Sequence, residues 1–500
     1  MPSLKGLGRY IIFCIKSLSH SVFLLVMVVA VFAGYRIVTY EQKDDANRLV
    51  SKQQYLERIS LAAQKTIDRP NMIFVLYDDL GYGDIGAGVP SQRLIKTPNI
   101  DRLAQQGVSM NNFYAPAPVC TPSRAGYLTG RLPLRAGLPH VVFPTNSPTE
   151  LLAGRVLNPE VNGRLPSDEI TIANVLEAAG YRTGMVGKWH LGDRSPSLPN
   201  DMGFDYFFGS HYSNDMEPFA LYRNRDIEIS APADQRFLSE RYSKEVVSFI
   251  EKESNQPFFL YLAHNFPHDP LYVREERLGH SEAGLFGDVL EELDQGIGEM
   301  VAALEASGQL ENTLIIISSD NGPWYLGNAG NQRGRKGNTF EGGMRVPFIA
   351  YWQAKIKPAQ TSAGRIEQAM AMGTDLLPTV LDILQLPSPQ DRMIDGRSIL
   401  KVLTEGAATP HEVLYYFDGL KLFAVRDKRF KYRGPAGVFY STDESPVAMS
   451  IPQKEWLFDL RDDPRESYDT SDRYPQVLED MQHIFADKVE EMQENPRGWL

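Results

Sequence analysis

Fifteen consecutive residues, Ser21 to Tyr35 (SVFLLVMVVAVFAGY), carry no charge, and Lys5, Arg9 and Lys16 stand ahead of them. An apolar run behind a basic flank is the layout of an export segment whose positive end stays in the cytosol. Fifteen residues are short for a span. The IIFCI stretch before Lys16 lengthens the run to the roughly 20 residues a membrane helix needs, provided the lysine snorkels. Residues 1–40 are therefore read as a signal anchor, with a signal peptide cleaved after Ala33 as the alternative. Either way the chain behind them is expected outside the cytosol. From Glu41 to Arg69 the pattern becomes charged and Gln-rich, with Leu49, Leu56, Ile59 and Ala63 in a weak helical period. This predicts a polar helical stalk over 41–69, ending at Pro70.

Beyond Pro70, short apolar runs alternate with amphipathic stretches. Met72 to Leu76 is a run that ends in Asp78-Asp79, as a buried parallel strand delivers its carboxyl end to a site. Ile172 to Ala179 reads as a helix followed by a Gly turn and a short strand. QPFFLYLAHNFPHDP reads as strand and loop, and the long amphipathic stretch after FGDVLEEL leads into a strand at Leu314 to Ser318. Strands alternating with helices predict an α/β domain over 70–400, its mostly parallel sheet covered by helices on both faces. After about residue 400 the runs EVLYYFD, KLFAVRD, RFKYRG and EWLFDL alternate with period two, and one helical stretch follows. A smaller antiparallel α+β subdomain is expected over 401–500.

Composition narrows the function. With 43% hydrophobic and 23% charged residues in 500, the chain is ordinary globular protein, long enough for two domains. A net charge of -12 leaves no excess of cations to release phosphate counterions, so general nucleic-acid binding is not expected. The chain has two cysteines, Cys14 inside the apolar segment and Cys120 in the body. Cys120 therefore has no intrachain disulfide partner beyond the membrane, and stability must come from the core.

Two acidic pairs, Asp78-Asp79 and Asp320-Asn321, each follow an apolar strand run. Adjacent buried carboxylates repel, so two such pairs at one sheet edge call for a cation between them. Hard oxygen donors without a His or Cys pair favour Ca²⁺, or less readily Mg²⁺, over zinc. Arg124, Lys188, His190, His268 and Lys336 lie in Gly- or Pro-punctuated segments after apolar runs. An acidic protein that holds a divalent anion must gather positive charge in this way. Two histidines there would divide the proton work near neutral pH; His140, His211 and His264 need have no such task.

CTPSRAGYLTGR, Cys120 to Arg131, matches the pattern C-x-P-S-R-x-x-x-x-T-G-R, and on it the chain resembles the type I, formylglycine-dependent sulfatases of the alkaline phosphatase superfamily. DDLGYGD, GKWHLGD, PHDP, SSDNGP and KGNTFEGGMRVP follow the family's order, while FGSHYSNDMEP and FGDVLEELDQGIG resemble its arylsulfatase A-like branch. LFDLRDDPRE matches the family's C-terminal subdomain. The resemblance implies hydrolysis of a sulfate monoester, aryl or carbohydrate, to an alcohol and inorganic sulfate. It implies that Cys120 is oxidised to Cα-formylglycine by a sulfatase-maturing enzyme, and that its hydrate is the nucleophile. One Ca²⁺ would be held by Asp78, Asp79, Asp320, Asn321 and the modified residue 120. Arg124 would hold that residue and the metal carboxylates, and Lys188 and Lys336 the sulfate oxygens. His190 would take the proton that releases sulfate and His268 would protonate the leaving oxygen. Ser213 corresponds to a substrate-contacting serine, although His211 stands where the family pattern has proline. Two alternatives remain at this level: a phosphomonoester, phosphodiester or phosphonate hydrolase of the same superfamily, and a surface-displayed sulfoglycan-binding protein with a dead site. The first would need ligands for a second metal and the second a missing catalytic residue; neither is found in the sequence.

Overall fold

All six side chains from Met72 to Tyr77 are buried, and they go alternately to two different cores. Met72, Phe74 and Leu76 face one side of the sheet; Ile73, Val75 and Tyr77 face the other. A strand with two buried faces must lie in the middle of a sheet with helices on both sides. The structure, a computed structural model, shows this arrangement; it describes residues 4–500 apart from 41, 43, 66–68, 87–93, 158–161, 358–363, 436–437, 443–444 and 452–453.

Ten strands form the main sheet: β1 (Asn71–Tyr77), β2 (Val108–Tyr114), β3 (Arg182–Lys188), β4 (Tyr206–Ser210), β5 (Leu221–Arg223), β6 (Asp226–Ile229), β7 (Phe258–Ala263), β8 (Thr313–Ser319), β9 (Phe348–Tyr351) and β10 (Arg365–Met372). Their order is β10-β2-β9-β8-β1-β7-β3-β4-β5-β6. Five neighbours in the middle, β8-β1-β7-β3-β4, run parallel, so their carboxyl ends emerge on one edge. In register, Leu76 of β1 pairs with Ser318 on one side and Ala263 on the other. The helices are α1 (Leu4–Thr39), α2 (Ala46–Ala63), α3 (Pro98–Gln106), α4 (Cys120–Thr129), α5 (Ile172–Ala178), α6 (Leu238–Glu251), α7 (Gly284–Ala306), α8 (Glu341–Met344), α9 (Leu376–Ile383), α10 (Leu400–Glu405) and α11 (Pro475–Glu494). α3, α6 and α7 cover one face of the sheet, and α2, α4, α5, α9 and α10 the other.

The expected stalk is helical but does not stand clear of the body. α2 buries Ile59 and Ala63 of the apolar period, with Leu56 packed beside them, but Tyr55 and Lys52 complete the inward face while Leu49 stays 37% exposed. The reason is local: the Lys52 ammonium donates to the carbonyls of Ser167 (2.9 Å) and Glu169 (2.7 Å), so a charged residue sits on the inward face with its donors satisfied.

At the C-terminus, β11 (Leu414–Asp418), β12 (Lys421–Arg426), β13 (Phe430–Arg433), β14 (Val438–Thr442), β15 (Ser445–Ile451) and β16 (Trp456–Asp459) follow. β11-β12-β13-β16 make an antiparallel sheet that packs Phe417, Val425 and Tyr432 against Met481 and Met492 of α11. The fold is therefore the expected α/β architecture with a smaller antiparallel subdomain.

Candidate active site

Each of the five central parallel strands ends beside a residue singled out in the sequence. β1 runs into Asp78-Asp79, β8 into Asp320-Asn321, β3 ends on Lys188 two residues before His190, the loop after β7 carries His268, and the turn after β4 carries Ser213. Cys120 is the first residue of α4, where the helix dipole and free N–H groups favour an anion. Lys336 comes from the long loop between β8 and β9. Asp79 and His190 have φ of 65° and 59°, a left-handed backbone that costs a non-glycine residue about 1 kcal/mol or more. Hydrogen bonds hold both in it: Asp79 N–H donates to Asp320 Oδ1 at 3.2 Å, His190 N–H to the His211 carbonyl at 2.9 Å, and Thr121 Oγ1 to the His190 carbonyl at 3.1 Å.

Three carboxylates face three cations in the interior. Arg124, fully buried, donates from Nε (2.9 Å) to Asp320 Oδ2, and its Nη2 lies 2.8 Å from the same oxygen and 3.6 Å from Asp78. Its Nη1 donates to the Lys188 carbonyl at 2.8 Å, tying β3 to α4. Lys188 Nζ donates to Asp78 Oδ2, and Lys336 Nζ lies 2.9 Å from each oxygen of Asp79. Burial alone would raise the Asp78 carboxyl, but Lys188, His268 and Arg124 hold it well below the usual carboxylate range. Burial and the facing Asp78 push Asp320 the other way, upward. Asp78 Oδ1 and Asn321 Oδ1 are buried without a hydrogen-bond partner, and ligand atoms of Asp78, Asp79 and His268 lie within 4.8 Å of one another. Unsatisfied oxygen acceptors at such a spacing suit a hard cation.

The histidines differ in what they offer. His190 Nε2–H donates to the Val142 carbonyl at 3.1 Å, which leaves Nδ1 with its lone pair, buried and unpartnered. Burial, then Lys188 and Arg124, keep the ring neutral by lowering its pKa well below 6.5. His268 donates from Nδ1 to the Asp269 carbonyl at 2.5 Å and turns Nε2 toward Asp79, 3.8 Å away. Its side chain remains 13% exposed, at the mouth. Ser213 is 1% exposed with its hydroxyl unpartnered, next to Tyr212, whose ring meets His190 edge-on at 5.8 Å. Cys120 is 4% exposed, and burial raises its thiol pKa; its electrostatic neighbours are Lys188, Lys336, Asp78 and Asp320.

The other histidines do ordinary packing work. His211 stacks on Tyr222 at 3.9 Å and on Phe207 at 5.8 Å, and His264 Nδ1 accepts the Phe266 N–H at 2.9 Å. Sequence reading missed Thr121 and Val142, which fix His190, because one acts through a hydroxyl to a distant carbonyl and the other through backbone alone. It also missed Glu341, which accepts from Tyr114 (2.7 Å), Arg426 (3.2 Å) and Lys431 (3.1 Å) and so ties the Lys336 loop to the C-terminal sheet.

Comparison with known proteins adds three findings. The profile of the family described as Sulfatase matches residues 70–386. The chain is 34% identical over 457 residues to arylsulfatase A of Bos taurus (82% of this chain, 84% of that one), and 35% identical over 402 residues to N-acetylgalactosamine-6-sulfatase of Mus musculus (75% and 74%). Among solved structures it resembles the PsFucS1 sulfatase from Pseudoalteromonas sp., with a TM-score of 0.75 and 27% identity over 91% of this chain and 96% of that one.

Proposed function

The chain belongs to the sulfatase family and is a sulfuric ester hydrolase acting on aryl or carbohydrate sulfates, and from that premise we propose that its nucleophile is a formylglycine hydrate formed from Cys120 beside a bound Ca²⁺. The observation that carries this reading is the placing of Cys120. It sits at a helix N-terminus among three cations and three carboxylates, with its thiol pushed toward the protonated and unreactive form. A thiol so placed is a poor nucleophile, whereas a hydrated aldehyde at that position supplies one hydroxyl to attack sulfur and a second whose deprotonation releases sulfate.

Asp78, Asp79, Asp320 and Asn321 would hold the Ca²⁺, which when bound polarises a sulfate oxygen and favours ionisation of the diol. Arg124 keeps Asp78 and Asp320 oriented and reaches toward residue 120. Lys188 and Lys336 turn from their carboxylate partners to the sulfate oxygens. His268, at the mouth, gives its Nε2 proton to the departing alcohol oxygen from the imidazolium form, keeping the Nδ1 proton on the Asp269 carbonyl, and the free Nδ1 of His190 accepts the proton whose loss releases sulfate. Ser213 offers its unpartnered hydroxyl to the substrate.

Burial of Cys120 also supports an order of events. A sulfatase-maturing enzyme cannot reach a side chain 4% exposed, so conversion precedes folding. The basic flank before the apolar segment supports a body, with its catalytic region 70–400 and C-terminal subdomain 401–500, that works outside the cytosol and is held by α1.

Mass spectrometry of the peptide containing residue 120, from protein made in its native host, should show an aldehyde in place of the thiol; an unmodified cysteine in active protein rejects the mechanism. A sulfate ester of a given phenol should turn over faster than its phosphate ester. Cys120→Ala should abolish both.

A further inference from the structure

The stretch from 141 to 157 begins in the site and ends outside it. The Val142 carbonyl accepts from His190, its N–H donates to Thr121 Oγ1 at 3.3 Å, and Thr145 donates to Asp193 through both N–H (2.9 Å) and hydroxyl (2.5 Å). Glu150–Leu157 then winds into a wide π-helical turn. Its two charges face each other, Arg155 Nε to Glu150 Oε1 at 2.8 Å, with side chains only 12% and 8% exposed. Arg155 also donates to Asn146 Oδ1 at 3.0 Å. Among the described side chains, Pro148 and Thr149 just before the turn and Leu152 within it face outward, the last 58% exposed. A surface turn with its charges folded inward and a leucine outward is the reverse of a solvated one.

Its neighbour is the apolar helix. Arg155 Nη1 donates to the Ile37 carbonyl at 3.5 Å, and its guanidinium lies 5.5 Å from the centre of the Tyr40 ring. Gly163 N–H donates to Tyr40 OH at 3.1 Å, and Arg164 pairs with Asp44 at 2.9 Å. The run Val22–Thr39, with a mean hydropathy of 2.3 and no part buried, therefore does not hang on a free tether. Its exit is fastened to the segment that carries Leu152.

We propose that residues 148–156 rest on the lipid bilayer that α1 enters, with Leu152 among the acyl chains, so that the catalytic pocket works at a short, fixed distance from the membrane. Chain geometry bounds that distance: Val142 and Asn146 are separated by at most about 14 Å, and one guanidinium bridges Asn146 to Ile37. Val142, and His190 with it, thus lie within about 30 Å of the helix exit, comparable to the thickness of a hydrocarbon core. A bilayer is the occupant because the patch continues an apolar helix long enough to cross one. Tyr35, Arg36 and Tyr40, at the end of that helix, are residue types that settle at headgroup level. The inference rests on α1 being retained in the mature chain, and it makes sulfate esters displayed on a membrane surface the favoured substrates.

The test uses the full chain in phosphatidylcholine vesicles, with Cys14→Ser and Leu152→Cys labelled by an environment-sensitive fluorophore; Cys120, buried, escapes the label. Leu420→Cys, at a residue 56% exposed between β11 and β12, is the solvent control. Emission from position 152 should be blue-shifted and quenched by spin-labelled lipid, while position 420 reports water. Water-like emission at 152 in protein whose intact mass includes α1 overturns the proposal. A mass beginning after α1 overturns it by removing the anchor, which leaves the assigned chemistry untouched. Leu152→Glu should keep turnover of a soluble aryl sulfate within twofold and lower turnover of a lipid-borne sulfate ester several-fold; equal effects on the two esters count against it.

Discussion

His190 holds its proton on Nε2 against the Val142 carbonyl and turns an unpartnered Nδ1 inward, with a pKa lowered by burial, then by Lys188 and Arg124. A base of that kind is already neutral well below pH 6.5. The acid limb of kcat against pH should therefore have its midpoint below 6.5, and a midpoint at or above that value would argue that His190 is not the group being titrated. His190→Ala should lower kcat by about 10²–10⁴ with a smaller change in KM, the size expected for loss of a proton acceptor. A second histidine makes the same argument for stability. Burial holds His211 at about 4, against 6.5 in the unfolded chain, with its Nε2 unsatisfied between Tyr222 and Phe207. A depressed folded pKa contributes stability that is present above 6.5 and lost as pH falls toward 4. At pH 5 the loss is about 2 kcal/mol. His211→Phe keeps the stack and removes the titration, so its advantage over the native chain in urea unfolding should be larger by about that amount at pH 5 than at pH 7.5; equal advantages at the two pH values would refute the assignment.

At the scale of elements, strand ends were legible and their supports were not. An apolar run that stops at Asp78-Asp79, Lys188 or Asp320 announces a parallel strand and the edge it feeds, because every residue of such a strand is buried. The face of α2 could not be read in that way, since Lys52 is inward only by virtue of the Ser167 and Glu169 carbonyls. Nor could the support of the Lys336 loop, whose partners Lys431, Arg433 and Glu466 in the C-terminal subdomain lie 90 or more residues along the chain from it. Lys431 of β13 bridges Glu341 (3.1 Å) and Glu466 (2.9 Å), Glu466 accepts the Glu341 N–H at 2.6 Å, and Arg433 donates to Thr339 at 2.7 Å. The C-terminal sheet thereby grips the segment that follows Lys336. Lys431→Met leaves two carboxylates facing each other away from water and should cost about 3–5 kcal/mol in chemical denaturation. At a temperature where the variant remains folded, kcat/KM should still fall about tenfold as the loop loosens, and Lys431→Arg, which can bridge both acids, should recover most of it. Full activity in the folded methionine variant would mean that the C-terminal sheet does not set the position of Lys336.

For the whole molecule, the question is what makes the segments before, within and after the main sheet unfold together. Trp499, next to the last residue, answers much of it. Guanidinium carbons of Arg48 in α2, Arg131 just after α4, Arg392 after α9 and Arg497 beside it lie 4.7, 4.7, 5.0 and 4.8 Å from its ring centre. Arg131 and Arg497 both reach the buried Glu169, and the tail is sewn down by Met393 N–H to the Gly498 carbonyl (2.8 Å) and Leu500 N–H to the Asp391 carbonyl (2.9 Å). Glu169 pairs with Arg131, Arg392 and Arg497, and Asp391 with Arg48 and Arg392; the face of the indole helps the four guanidiniums crowd there, since each gains a cation–π attraction. Trp499→Ala removes that shared surface and leaves the guanidiniums only their carboxylates, at a cost of about 3 kcal/mol. Scanning calorimetry should show a lower Tm for the variant, while turnover of a soluble sulfate ester at 25 °C stays near the native value because none of these residues touches the site. An unchanged Tm would show that α2 and the C-terminal helix are held by their own contacts, with the tail merely lying over them.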